Sequence, residues 1–171
     1  MIQSFSFKET IKKKLILAAK NYSKLINKKI VISSEYFVFK KKYIIRFYDT
    51  NFLHLTGVKT KLPPKDFFRK CLNETIDETE FDCESNKKLK GLVRLKMMNL
   101  ININTFFDKE LSIQEDYEKG SIRCVVAASN VTCTIGFADA KYYVRPKTLL
   151  EGNRLNKDKP IYIVEPIMQK L

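Results

Sequence analysis

Glycine, histidine and paired cysteine are all scarce in this 171-residue sequence, and each shortage removes a class of chemistry. Five glycines are scattered singly, so there is no Gly-rich loop to cradle a phosphate, and NTPase and dinucleotide-enzyme readings fall away. The four cysteines, Cys71, Cys83, Cys124 and Cys133, form no C-x-x-C pair and have no histidine beside them. That argues against a zinc site. With no basic-then-apolar export signal over Met1–Lys8, it also argues against a disulfide framework. Buried, reduced thiols in a cytoplasmic protein are the expectation. No stretch approaches the roughly 20 apolar residues needed to cross a bilayer, so no membrane partner is expected. The carboxylates crowd into one segment without a D…ExK arrangement, which disfavours metal-dependent nuclease chemistry. Neither a metal nor another cofactor is expected.

What the sequence does have is positive charge. Lys and Arg number 32 against 19 Asp and Glu, a net +13, while 44% hydrophobic content marks a folded chain rather than a disordered one. A field that strong is answered by a polyanion, either nucleic acid or a membrane surface. The excess is also unevenly placed. Residues 1–70 hold 17 Lys/Arg and 4 Asp/Glu, whereas residues 71–171 hold 15 of each sign. A lysine-rich composition inherited from an AT-rich genome would load both parts alike, so the asymmetry favours a functional basic surface.

Hydrophobic spacing predicts a first helix over Ser6–Asn27, opened by a Ser6/Glu9 capping box, with Phe7, Ile11, Leu15, Ala18, Tyr22 and Leu25 inward. Lys12, Lys13, Lys20 and Lys24 occupy its other face. Strands are predicted over 29–33 and 36–48, the latter split into a hairpin by Lys40–Lys42. A helix over 65–72 takes Pro64 in its first turn. The segment Glu74–Glu84 carries six acidic residues and no basic one. A solvated loop is favoured there over an acidic flap on the basic surface or a helix start. A second long helix capped by Ser85 is predicted over about 85–104, then antiparallel strands over 122–128, 131–138, 142–145 and 161–164. The economical architecture is one α+β domain over 1–171, with N-terminal helices packed on a mainly antiparallel sheet. Its basic part spans 1–70 and its sheet-rich part 120–165.

Two segments carry candidate chemistry. His54, the sole histidine, is read at a strand's end before Thr56-Gly57 and the basic loop Lys59-Thr60-Lys61. A lone histidine is more often structural than catalytic, but imidazole best suits proton transfer near neutrality. The second segment, Gly136–Leu150, sets Tyr142, Tyr143, Arg145, Lys147 and Thr148 around Pro146. Arg145 can grip a phosphate with two parallel bonds, and tyrosine rings can stack on unpaired bases. The competing reading is an edge strand ending in a solvated basic turn. RNA can be cleaved without metal if a base takes the 2′-hydroxyl proton and cations hold the charge gathering on phosphorus oxygens.

The block Phe52-Leu53-His54-Leu55-Thr56-Gly57, the following Asp66–Cys71, and the late Gly136-Phe137…Tyr143-Val144-Arg145-Pro146-Lys147-Thr148-Leu149-Leu150 resemble phage-associated nuclease-like domains. Those domains are grouped with barnase, EndoU, colicin and RelE toxins. The resemblance covers about residues 30–155. It implies helices preceding a four-stranded antiparallel sheet, and a metal-independent ribonuclease, often a toxin or mobile-element effector with a cognate inhibitor protein. It makes His54 the candidate active-site histidine and puts Tyr143 and Thr148 near the same cleft, with Arg145 as a cation for the phosphate. The chain departs from EndoU in lacking a second histidine, so Tyr, Lys or Arg must take the other proton-transfer role. Expected contacts to RNA or single-stranded nucleic acid are Lys12, Lys13, Lys20, Lys59, Lys61 and Lys147. A non-enzymatic nucleic-acid binder and a basic protein-interaction module of mobile-element origin stay open as alternatives.

Overall fold

The computed structural model describes residues 6–82 and 87–171, without the side chains of 87–92 and 95. Helix α1 (Phe7–Ile26) begins at the capping box: the Glu9 N–H donates to Ser6 Oγ at 3.1 Å, and the Ser6 N–H to the Glu9 carboxylate at 3.0 Å. Two backbone donors left over by the first turn are thereby satisfied. Ile11, Leu15, Ala18, Ala19, Tyr22 and Leu25 recur at helical spacing and are buried. Strands β1 (Lys28–Ser33) and β2 (Lys42–Arg46) follow, then short helix α2 (Phe52–Thr56), α3 (Pro64–Leu72) and α4 (Lys87–Ile101). The remainder is strand: β3 (Leu111–Lys119), β4 (Ile122–Ser129), β5 (Cys133–Asp139), β6 (Val144–Glu151), β7 (Tyr162–Val164) and β8 (Ile167–Lys170).

Among the described residues, these strands form a single sheet in the order β7-β3-β4-β5-β6-β2-β1-β8. Every pairing is antiparallel except β2 with β6. The fold is therefore α+β, helices on a mainly antiparallel sheet, as the sequence leads one to expect. The sheet curls around its core: Tyr43 of β2 hydrogen-bonds Glu115 of β3 although β4, β5 and β6 lie between them. One face, with Ile30, Ile32, Ile45, Phe47, Ile113, Ile135 and Phe137, packs under the helices. The outer face of β3–β5 is crossed by the segment 152–160. Gln114 exchanges two hydrogen bonds with the Asn156 backbone (2.7 and 2.9 Å), the Tyr117 hydroxyl donates to the Arg154 carbonyl at 2.8 Å, and Leu155 packs on Tyr117, Cys124 and Ala127.

Several expectations need correction. Residues 36–39 are loop, not strand: Tyr36, Val38 and Phe39 are exposed, and only Phe37 turns inward against Tyr43 and Tyr162. His54 lies on a helix rather than at a strand's end. The late strand β6 covers 144–151 instead of 142–145, and strands β3 and β8 appear where none is predicted. The second long helix ends at Ile101, followed by a 3-10 turn over Ile103–Thr105. The expected Ser85 cap and Cys83 lie outside the described residues. Val93, Met97 and Leu100 face the core.

Candidate active site and nucleic-acid interface

Helix α2 buries Phe52, Leu55 and Thr56, which leaves His54 exposed. Gly57 ends the helix at φ +75°, a left-handed conformation that costs glycine little. The Thr56 hydroxyl is committed locally, donating to the Leu53 carbonyl at 2.7 Å and accepting from the Val58 N–H at 3.2 Å. His54 makes no hydrogen bond or ion pair with a described residue. Helix α2 packs against α3, α4 and β6, the strand bearing Arg145, Lys147 and Thr148. Sequence reasoning passed over Lys96 on α4. Its half-buried stem comes within 3.2 Å of where a Cβ on Gly57 would sit, and burial lowers its ammonium pKa below the ordinary lysine value.

The late segment divides between the two faces of β6. Val144 is buried in the core and pairs with Ile45, so Tyr143 and Arg145 turn outward. Arg145 is exposed and unpaired among the described residues, and Lys147 donates to the Arg123 carbonyl at 2.9 Å. Thr148 stands opposite Gly136, where any Cβ would lie 2.9 Å from Thr148 Cγ2 and 2.5 Å from Cys124 Sγ. Glycine is what lets Cys124 and Thr148 close over that strand. Helix α2 lies on the helix-covered face of the sheet while Tyr143, Arg145 and Thr148 turn to the outer face, so the fold does not bring His54 together with them.

On the same outer face, the alternation of β2 places Arg46 and Tyr48 opposite buried Tyr43, Ile45 and Phe47. The Arg46 guanidinium lies 5.2 Å from the Tyr48 ring centroid, and the Tyr143 ring packs against Tyr48 at 5.4 Å with a 53° tilt. Arg46 Nε is buried without a hydrogen-bond partner. Neither Arg46 nor Tyr48 was singled out from the sequence. An arginine alternating outward from an apolar strand was the available signal.

The basic face of α1 is partly answered by the acidic segment, a loop with a 3-10 turn at Glu78–Glu80 that packs along the helix. Lys8 pairs with Asp82 at 3.3 Å, Lys20 with Glu74 at 3.3 Å, and Lys70 with Glu80 at 2.5 Å. The Lys70 ammonium holds the Glu80 carboxyl below its usual range, and the Thr79 backbone and hydroxyl do the same for Asp77. Lys12 and Lys13 lie on this helix, half-buried and exposed respectively. Lys59 and Lys61 are exposed beside Glu80 and Asp82 around a cavity of about 450 Å³, where the Lys59 and Asp82 backbones pair.

Three cysteines are buried and free; burial pushes the Cys71 thiol up to about 12 and the Cys133 thiol to about 11. The described residues bring together no three His, Cys, Asp or Glu side chains able to hold a metal ion. No helix among them is long and apolar enough to cross a membrane. No curated protein and no solved structure matches the chain. The family described as phage-Barnase-EndoU-ColicinE5/D-RelE like nuclease4 does match, over residues 14–170. That segment takes in α2, the outer sheet face and β6, and the chain belongs to this nuclease-like family.

Proposed function

We propose that this nuclease-like domain is an endoribonuclease that needs no metal. The 2′-hydroxyl oxygen attacks the adjacent phosphorus, the bond from phosphorus to the 5′-oxygen breaks, and a 2′,3′-cyclic phosphate and a 5′-hydroxyl remain. The observation that carries the reading is His54: exposed, uncommitted among the described residues, and on a helix whose end at Gly57 packs against Lys96. His54 moves one proton. With no second histidine, the other falls to Lys96, on the same side of the sheet, and burial brings its neutral form closer to reach. Lys59, just past the end of that helix, holds the charge that gathers on the phosphoryl oxygens, while Arg145, Tyr143 and Thr148, on the outer face of the sheet, engage the strand away from the scissile bond. Lys12, Lys13, Lys20, Lys61 and Lys147 supply the longer-range field.

The same reading makes the domain a toxin or mobile-element effector restrained by a cognate inhibitor protein. The test is incubation with structured and unstructured RNA in EDTA, wild type beside His54→Ala. Loss of a proton-transfer group typically costs about 10²–10⁴-fold in rate, so the variant should be nearly silent while still binding RNA. Undiminished cleavage by His54→Ala refutes the assignment. A wild type that binds varied RNAs and cuts none makes the domain a binder instead.

A further inference from the structure

We infer that the outer face of β1, β2 and β6 is a subsite for single-stranded nucleic acid, in which Arg46 grips a phosphate and the Tyr48–Tyr143 ring pair takes an unpaired base. The inference rests on the chain acting on nucleic acid, though not on its cutting it.

Register brings the cations together. Lys29 of β1 stands directly opposite Arg46, and the parallel pairing of Ile45 with Val144 sets Arg46 beside Arg145. All three turn away from the core, and none forms an ion pair with a described residue. Like charges across neighbouring strands oppose pairing, so a fold that keeps three without a counter-charge favours an external anion. Arg46 sharpens this. Its Nε is shut off from water with no acceptor, although buried donors are almost always satisfied. With a phosphate as ligand the side chain would turn outward and bring Nε to an acceptor, and the planar guanidinium fork matches phosphate geometry better than an ammonium does.

The rings say which nucleic acid. Tyr48 and Tyr143 are each half-buried and keep part of their surface in solvent. Stacking on such rings requires a base out of its own stack, which a duplex does not offer and a single strand does. The segment 152–160 that crosses β3–β5 leaves this part of the sheet open. A strand leaving the subsite meets the Lys141-Tyr142 turn, where Tyr142 is 78% exposed, and the loop that Lys40 ties to Asp139 at 3.5 Å.

The experiment is fluorescence anisotropy on the full chain carrying His54→Ala, so that no RNA is consumed. The probes are labelled single-stranded RNA, single-stranded DNA and an RNA duplex of equal length, at one salt concentration. Both single strands should bind more tightly than the duplex. Adding Arg46→Gln or Tyr48→Leu should weaken single-strand binding about tenfold and leave duplex binding little changed. Arg46→Lys should recover only a small part, while Lys109→Gln, on a distant loop, should weaken all probes slightly and equally. Tyr143→Leu alters a half-exposed ring at a turn and serves as the second variant should the β2 changes unfold the chain. Equal affinity for duplex and single strands, no binding of either, or full affinity in Arg46→Gln or Tyr143→Leu overturns the subsite. Arg46-dependent binding by a wild type that never cleaves sinks the catalytic proposal alone; cleavage with binding indifferent to Arg46 sinks the subsite alone.

Discussion

Glu115 is 6% exposed on β3, and its carboxylate accepts three hydrogen bonds: from the Val38 N–H at 2.7 Å, the Phe39 N–H at 3.1 Å and the Tyr43 hydroxyl. Replacing it with alanine removes the acceptor of all three bonds, each bond to a charged group being worth about 1.5–3 kcal/mol. They do not add. Val38 and Phe39 are 76% and 66% exposed, so their amides can turn to water once the carboxylate is gone. Tyr43, 2% exposed, has no such escape. One orphaned hydroxyl and the emptied volume together give a loss of about 2–4 kcal/mol for Glu115→Ala. Glu115→Gln should cost less, about 1–2 kcal/mol, since its amide keeps one acceptor but turns an N–H₂ toward a donor.

Urea unfolding followed by circular dichroism should show a lower midpoint with unchanged slope. Hydrogen exchange should show Val38 and Phe39 losing protection before the sheet does. Trypsin should cut after Lys40, Lys41 or Lys42 in the variant at urea concentrations where the wild type survives. A wild-type midpoint together with protected loop amides would refute the reasoning, because the loop would then be held by something else.

Gly136→Ala should destabilise by about 1–3 kcal/mol, measured by the same unfolding curves, because its methyl would meet Cys124 Sγ at 2.5 Å and Thr148 Cγ2 at 2.9 Å. Cys124→Ala should recover part of that loss in the double variant. Lys96 makes a signed pH prediction. A general acid with a lowered pKa is lost as pH rises through that value, so wild-type kcat/KM should decline below the ordinary lysine range. Lys96→Arg should lower the rate and abolish that decline, and an identical alkaline limb in the variant would exclude Lys96. Affinity for single-stranded RNA should fall steeply with salt, and Arg145→Gln should reduce the log–log slope by about 0.7, one phosphate contact. Lys20→Gln should change it less, because that ammonium already faces Glu74.

Elements that are stabilised locally were legible in the sequence. Helix α1 announces itself through the Ser6/Glu9 box and its apolar stripe, α3 through Pro64, and β4 and β5 through their β-branched runs around the Ser129-Asn130 turn. Elements defined by distant partners were not. Strand β3 carries Glu115, Asp116, Glu118 and Lys119, a polar run that reads as strand only once β4 and β7 flank it. Strand β8 is four residues on the sheet edge and exists because β1 accepts it. The Tyr36–Phe39 run fails in the opposite sense: its aromatics fit a strand, yet Glu115 takes its amides and leaves no ladder to join. Five-residue α2 is too short to display a helical period, so Phe52-Leu53-His54-Leu55 matched alternation equally well. The same limit hid half of the proposed site. His54, Tyr143, Arg145 and Thr148 could be picked out as residue types, but Arg46 and Tyr48 acquire meaning only from the parallel pairing of β2 with β6.

Charge follows the same logic, and it bears on where the proposed interface lies. The sequence places its whole positive excess in residues 1–70, which draws attention to the lysines of α1. In the folded chain, however, the acidic segment lies along that helix and pairs with Lys8 and Lys20, while Lys70 of α3 is taken by Glu80. These pairs are at least partly exposed, so each contributes little to stability, but together they lower the local potential that a polyanion would feel. Lys29, Arg46 and Arg145 have no such partners among the described residues. Two of the three come from the basic part of the chain and the third from the part with no net charge, joined across the β2–β6 pairing. A net charge counted along the sequence therefore fits the nucleic-acid substrate that the family suggests without choosing which face meets it. Lys12 and Lys14 of the helix also lack an ion pair with a described residue, but the sheet sets its unpaired cations beside the two tyrosine rings that the proposed subsite would offer an unpaired base.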